Sequence, residues 1–247
     1  MRHFFTSVLF CLVAASTLLH SSASAKGAEP FVSAGDIDLL KLLPPPPRSD
    51  SAQTKAELGE ILTLQVTRTP EMVARAKADA VENIWRFSDV MGEYFTAENL
   101  PECAAFFARV VSSEGAVVDV SKDVWQRPRP YLYSDLVKPV VKMTASGSYP
   151  SGHATAGTLM GIVLANMVPE KRPEIMARAR EYANNRVVGG VHYPSDIEAG
   201  RIVGTLIAAN LLTRDEFRVG FESAKVELRK KLGLDDGSSV SVINDKR

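Results

Sequence analysis

The sequence predicts an all-α fold with long functional loops, and three observations carry that expectation. Apolar residues recur at three- and four-residue spacing along most of the chain. Ser, Thr and Pro stand where helices would begin. Convincing alternating strand patterns and internal repeats are both absent.

The first element is not part of the fold. Met1-Arg2-His3 is followed by a mostly apolar run from Phe4 to Leu19 and then by small residues ending in Ala23-Ser24-Ala25. A basic start, a short apolar stretch and an A-x-A ending read as a secretory signal peptide over residues 1–25, cut after Ala25. The run is short for a bilayer span and a polar stretch follows it at once, so the expectation is an exported, periplasmic protein with no membrane association after cleavage. Cleavage takes the basic count from 29 to 28 against 29 acidic residues. A chain this close to neutral gives no electrostatic case for a nucleic-acid or anionic-membrane partner. Cys103 is then the one cysteine left, which rules out an internal disulfide. Stability must come from the core, for which about 220 residues are ample in one domain. Cys103 itself, in Cys-Ala-Ala-Phe-Phe, reads as a buried small hydrophobe.

Residues 26–53 are expected to be irregular, stiffened by Pro44-Pro45-Pro46-Pro47. A single catalytic domain follows over residues 54–234. Leu58, Ile61, Leu62 and Leu64 mark a helix from Thr54, and Thr69-Pro70 is an N-cap and first-turn proline launching a helix to about Val90. Pro101 opens a third helix to about Ser112, on Ala105, Phe106, Ala108 and Val110. Residues 119–150 are polar and turn-rich, with four prolines. Ser151 caps a helix to about Met167, and a charged amphipathic helix covers roughly 170–185. Ser195-x-x-Glu198 fits a capping box for a helix through Leu212. A last helix spans about 214–232, and the tail 235–247 is expected to be loose. No Asp, Glu, Lys or Arg stands between Lys142 and Glu170, but the apolar part after His153 is only about 15 residues, a buried helix rather than a span. Gly157-x-x-x-Gly161 and Gly200-x-x-x-Gly204 offer small faces for close helix approach.

After signal cleavage two histidines remain, His153 and His192, each inside a dense polar motif. The segments are Lys122-x6-Arg129-Pro130, Pro150-Ser151-Gly152-His153 and Arg186-x5-His192-x3-Asp196. Together they hold what a phosphate monoester requires. Arg129 and Arg186 can fork onto non-bridging oxygens, and Lys122 adds a compact charge. The Ser151-Gly152 turn at a helix start presents free N–H groups, and glycine allows close backbone approach. A neutral imidazole can attack phosphorus if its other nitrogen is held by an acceptor, the place Asp196 suits. The other histidine can protonate the leaving alcohol. This chemistry needs no metal and no cofactor, and two histidines with one local aspartate make a poor metal cage.

These three segments resemble the signature of the type 2 phosphatidic acid phosphatase and vanadium haloperoxidase superfamily, Lys-x6-Arg-Pro, Pro-Ser-Gly-His and Ser-Arg-x5-His-x3-Asp. Gly147-Ser148-Tyr149-Pro150-Ser151-Gly152-His153 is similar to the fingerprint of the bacterial class A nonspecific acid phosphatases. The resemblance implies a helical bundle of the acid phosphatase/vanadium haloperoxidase type. It implies His192 as nucleophile, Asp196 as its orienting partner and His153 as general acid. Lys122, Arg129, Ser151, Gly152 and Arg186 would bind phosphate. It also implies metal-independent hydrolysis of small-molecule phosphomonoesters, a periplasmic location and a homodimer. Two positions depart from the pattern: Asn185 stands where serine usually precedes the arginine, and Ala154 where threonine is usual. Asn185 is expected to offer its amide to an oxyanion, and Ala154 removes a hydroxyl beside His153. The competing functions are a vanadate-dependent haloperoxidase and a non-catalytic phosphate-binding module.

Overall fold

A computed structural model describes residues 27–234, and every regular element among them is helical. The expected signal peptide and the expected loose tail lie outside the described residues. Ten α-helices follow in order: α1 Leu39–Leu42, α2 Ala52–Thr67, α3 Pro70–Ala78, α4 Ser88–Met91, α5 Pro101–Trp125, α6 Pro130–Tyr133, α7 Gly152–Met167, α8 Arg172–Val188, α9 Pro194–Leu211 and α10 Asp215–Lys231.

Helix α7 is the axis of the bundle. Its residues are apolar or small all round, so it can only be stable when enclosed, and nearly all of them are buried. It packs chiefly on α8 and α9, then on α5. The two glycine pairs determine how closely. A Cβ on Gly157 or Gly161 would stand within 2.5–2.7 Å of Tyr182 and Ala179 of α8. A Cβ on Gly200 or Gly204 would stand 2.5–2.6 Å from the carbonyl oxygens of Ser151 and Thr155 in α7. Backbone thus rests on backbone between α7 and α9. None of the described helices is long and apolar enough to cross a membrane.

The other side of α5 carries the aromatic core. Phe31, Phe106, Phe107, Phe217 and Phe221 interlock at centroid distances of 5.2–6.3 Å, joining the N-terminal segment and α10 to α5. The N-cap Leu100 has no capping side chain, and Glu227 of α10 takes the N–H groups of Glu102 and Cys103 instead. Cys103 is fully buried there. The proline-rich segment is not merely peripheral, since Val32, Ile37, Leu39 and Leu43 enter the core and Pro44 accepts the Tyr149 hydroxyl.

Several boundaries correct the sequence expectations. The helix expected over 70–90 ends at Ala78, and residues 79–83 form a turn before a short 3-10 segment, Ile84–Phe87. Tertiary contacts described below hold that turn. Helix α5 runs to Trp125 instead of Ser112, because Val110, Val117 and Val118 keep burying one stripe. Its last turn therefore carries Lys122 out of the region expected to be loop. Helix α9 starts at Pro194 with Tyr193 as N-cap, and its first turn is closed by Asp196, not by the Ser195–Glu198 pair.

Replacing Gly204 with alanine should cost about 1–3 kcal/mol by overpacking the α7–α9 contact, read from a urea denaturation midpoint. Gly115→Ala on α5, where a Cβ meets only Asp119 at 3.7 Å, should leave the midpoint unchanged or raise it.

Candidate active site

The turn between α8 and α9 fixes the spacing of the third motif. Helix α8 ends in a Schellman arrangement: the Gly190 N–H reaches the Val187 carbonyl and the Val191 N–H reaches the Arg186 carbonyl. Gly190 takes φ +74°, a conformation that favours glycine. The chain then extends through His192, and Tyr193 caps α9 while the Asp196 carboxylate accepts the Tyr193 N–H at 2.8 Å. Arg186 is thus the last turn of one helix, His192 the residue before a cap and Asp196 the third residue of the next helix.

His192 is buried, with Nδ1 3.3 Å from Asp196 Oδ2 and Nε2 3.0 Å from an Arg129 guanidinium nitrogen. Arginine only donates, so Nε2 must accept, and the ring proton belongs on Nδ1, facing Asp196. Burial pushes the His192 pKa well below its usual value, and the positive charges of Arg129, Arg186 and Lys122 push it further the same way. The ring is held neutral with its Nε2 lone pair exposed to cations and, on their displacement, to an electrophile.

Asp196 is the anchor of this arrangement. Its oxygens also accept from Ser148 and from Arg127 at 2.6 Å, and its backbone carbonyl accepts the Ser151 N–H. Burial raises its pKa, with Arg127, Ser148 and the Tyr193 amide pulling the other way. Arg127 continues to Glu57 of α2 at 3.0 Å and lies 4.1 Å over the Tyr193 ring. Glu57 in turn accepts from the Ser195 amide and hydroxyl. Neither Arg127 nor Glu57 carries a recognisable signal in the sequence, beyond Arg127 sharing the Arg-Pro-Arg run with Arg129.

The cations converge on the start of α7. Arg129 is braced by the carbonyls of Ser146, Gly147 and Val191. The guanidinium of Arg186 is buried, yet its Nε and one terminal nitrogen have no hydrogen-bond partner. A buried, unpartnered arginine beside a histidine is an anion site by chemistry. Lys122 Nζ lies 3.1 Å from where a Cβ on Gly152 would stand, so the lysine closes over that glycine. Ser151 caps α7 through the Ala154 N–H, leaving the first helical amides, Gly152 and His153, with no acceptor inside the helix. The structure therefore gathers Lys122, Arg129, Ser151, Gly152, Arg186, His192 and Asp196 into one locality.

His153 faces the site from α7 and is gripped by the turn after α3. Its Nδ1 lies 2.6 Å from Glu82 and its Nε2 3.1 Å from the Ala80 carbonyl oxygen. Both nitrogens meet acceptors, the pattern that a doubly protonated ring satisfies. The Tyr182 ring stacks at 6.1 Å and gives its hydroxyl to the Val81 carbonyl. Burial alone would raise the Glu82 pKa, but the His153 hydrogen bond and the charges of His153, Lys122 and Arg186 bring it down to about 2. Glu82 was not legible in the sequence, where it falls inside an expected helix.

Both departures from the family pattern act away from the oxyanion. The Asn185 amide goes to Asp79 at 2.7 Å, where Arg178 also pairs and Arg86 donates at 3.1 Å. The expected donation to an oxyanion is therefore replaced by a tether on the turn that grips His153. Ala154 points between α8 and α9, packing on Ala183 of the first and on Ile197 and Gly200 of the second, not toward the His153 ring. Trp125 meets Tyr149 edge-on, and Tyr131 and Tyr133 bond to backbone carbonyls, so these aromatics fill the rim.

The family profile described as the PAP2 superfamily matches residues 104–218. The chain is 31% identical to the non-specific acid phosphatase of Salmonella typhimurium, over 85% of this chain and 88% of that one. It is also 31% identical to the non-specific acid phosphatase of Providencia stuartii, over 78% and 82%. Among solved structures it is similar to a bacterial vanadium-dependent iodoperoxidase, with TM-score 0.52 and 19% identity over 67% of this chain and 50% of that one. That last likeness is one of fold.

Arg127→Ala strands two buried carboxylates, and its cost should be about 3–5 kcal/mol in denaturant unfolding. An unchanged midpoint would show that Asp196 and Glu57 do not depend on this cation.

Proposed function

The chain belongs to the PAP2 superfamily and is an acid phosphatase, and on that premise we propose that it hydrolyses phosphomonoesters of broad specificity through a phosphohistidine on His192. The observation that carries this reading is the neutral, Asp196-tethered ring whose Nε2 faces Arg129 beside the unpartnered Arg186 guanidinium.

A phosphoryl group entering the site takes over the hydrogen bond that Arg129 gives to Nε2. Arg129, Arg186 and Lys122 hold its non-bridging oxygens together with the Gly152 and His153 amides, and the Ser151 hydroxyl adds a donor. These charges oppose the negative charge of the transition state. Nε2 attacks phosphorus in line with the leaving oxygen, forming the N–P bond as the P–O bond breaks. The imidazolium that results keeps its proton on Nδ1, hydrogen-bonded to the Asp196 carboxylate. His153 turns its Nε2–H away from the Ala80 carbonyl and gives that proton to the departing oxygen, with Glu82 holding the other nitrogen. Water then gives a proton to His153 and attacks phosphorus, and His192 leaves.

No step calls on a metal or cofactor. The substrates are small phosphomonoesters, because the leaving group contributes only the oxygen that His153 protonates. Export to the periplasm and homodimer formation belong to the same reading, the first from the Ala23-Ser24-Ala25 ending and the second from the family resemblance.

Hydrolysis should survive EDTA, and a phosphohistidine should be trappable on rapid acid-free quenching of labelled substrate. His192→Ala should abolish both with every substrate; full activity in that variant would overturn the mechanism. Glu82→Gln should slow alkyl phosphates more than aryl phosphates, about tenfold or more in relative kcat, because only poor leaving groups depend on the proton.

A further inference from the structure

One buried acid beside this site is used by nothing described so far. Glu114 lies on α5, two turns before Lys122, and is buried. Its Oε1 has no hydrogen-bond partner. That oxygen stands 2.7 Å, and Lys122 Nζ 3.1 Å, from the point a Cβ on Gly152 would occupy. The carboxyl and the ammonium thus flank the same glycine, at the helix start that presents its amides to an anion. The charged and titratable groups around it are Lys122 and Asp119 on its own helix, Glu82 from the turn after α3, and Tyr182 on α8. No arginine or lysine forms an ion pair with it among the described residues.

A buried carboxylate oxygen without a donor is costly, whereas a carboxylic acid in the same place can itself donate. We propose that Glu114 is carried protonated and donates a hydrogen bond to a phosphoryl oxygen, making it a further side-chain donor of the phosphate cradle beside Lys122, Arg129, Arg186 and Ser151. The proposal rests on the reading of this pocket as the phosphate site. Ionised, the same carboxyl would place a negative charge against the phosphoryl oxygens and also compete for Lys122. Burial pushes the Glu114 pKa up to about 8, aided by the Glu82 and Asp119 charges and opposed by Lys122. The acid is therefore present below that value and lost above it, so the alkaline limb of activity has a structural origin in this residue. A carboxyl kept neutral by its surroundings in order to donate is a known catalytic device.

The test compares wild type, Glu114→Gln and Glu114→Ala for hydrolysis of an aryl phosphate and for inhibition by inorganic phosphate across acid to alkaline pH. Glutamine keeps a donor and cannot ionise. Its kcat/KM should fall a few-fold on the acid side, while the ratio of variant to wild type rises about tenfold between pH 6 and pH 9, as expected for removing an acid titrating near 8. The phosphate inhibition constant should move in parallel, and alanine should lose activity at all pH values. A glutamine variant with the wild-type alkaline limb overturns the proposal, as does a folded one that is inactive in acid. If neither variant folds, infrared difference spectra of the wild type on phosphate binding decide it. A perturbed protonated-carboxyl band supports the proposal and its absence overturns it. Failure to trap phosphohistidine would instead count against His192 and leave these phosphate-binding readouts intact.

Discussion

The Asp196 carboxylate is the constraint from which the rest of the site follows. One oxygen orients His192, takes the Ser148 hydroxyl and closes the first turn of α9 on the Tyr193 amide; the other is held by Arg127. Through Arg127 the same charge reaches Glu57 on α2, and through its carbonyl it holds Ser151 at the start of α7. Four separate parts of the chain are thereby fixed by one acid. A lone buried carboxylate would be prohibitively costly, and the arginine and three neutral donors are what make it tolerable.

The two histidines are treated oppositely by their surroundings. His192 is buried among cations with a single carboxylate behind it; burial first, and those positive charges after it, favour the neutral ring. His153 sits between the Glu82 carboxylate and the Ala80 carbonyl oxygen. Two side chains of one type are thus given different partners, a guanidinium and a carboxylate for one and two acceptors for the other.

What the sequence disclosed, and what it withheld, follows from the range of the interactions. The start of α7 was legible because Ser151 caps it locally, and the all-α class because the apolar stripe repeats within each helix. The motif residues were legible through resemblance, and the fold brings them together. The end of α3 was not legible: residues 79–83 have adequate helix formers, but Asp79 is captured by Arg178 and Asn185, about a hundred positions away in the chain. Glu57, Glu82, Arg127 and Glu114 were invisible for the same reason. Each is an ordinary charged residue until tertiary packing buries it. The α9 cap differs from the Ser195–Glu198 expectation because Asp196, which also tethers His192, closes that turn on the Tyr193 amide.

The glycine contacts between α7 and α9 leave no room for a larger side chain at that seam. With Gly200 and Gly204 lying on the carbonyls of Ser151 and Thr155, the two helices behind His153 and His192 form a single block that no side chain can wedge apart. Any side chain added at either glycine is thereby transmitted to the helix starts that carry the two histidine motifs.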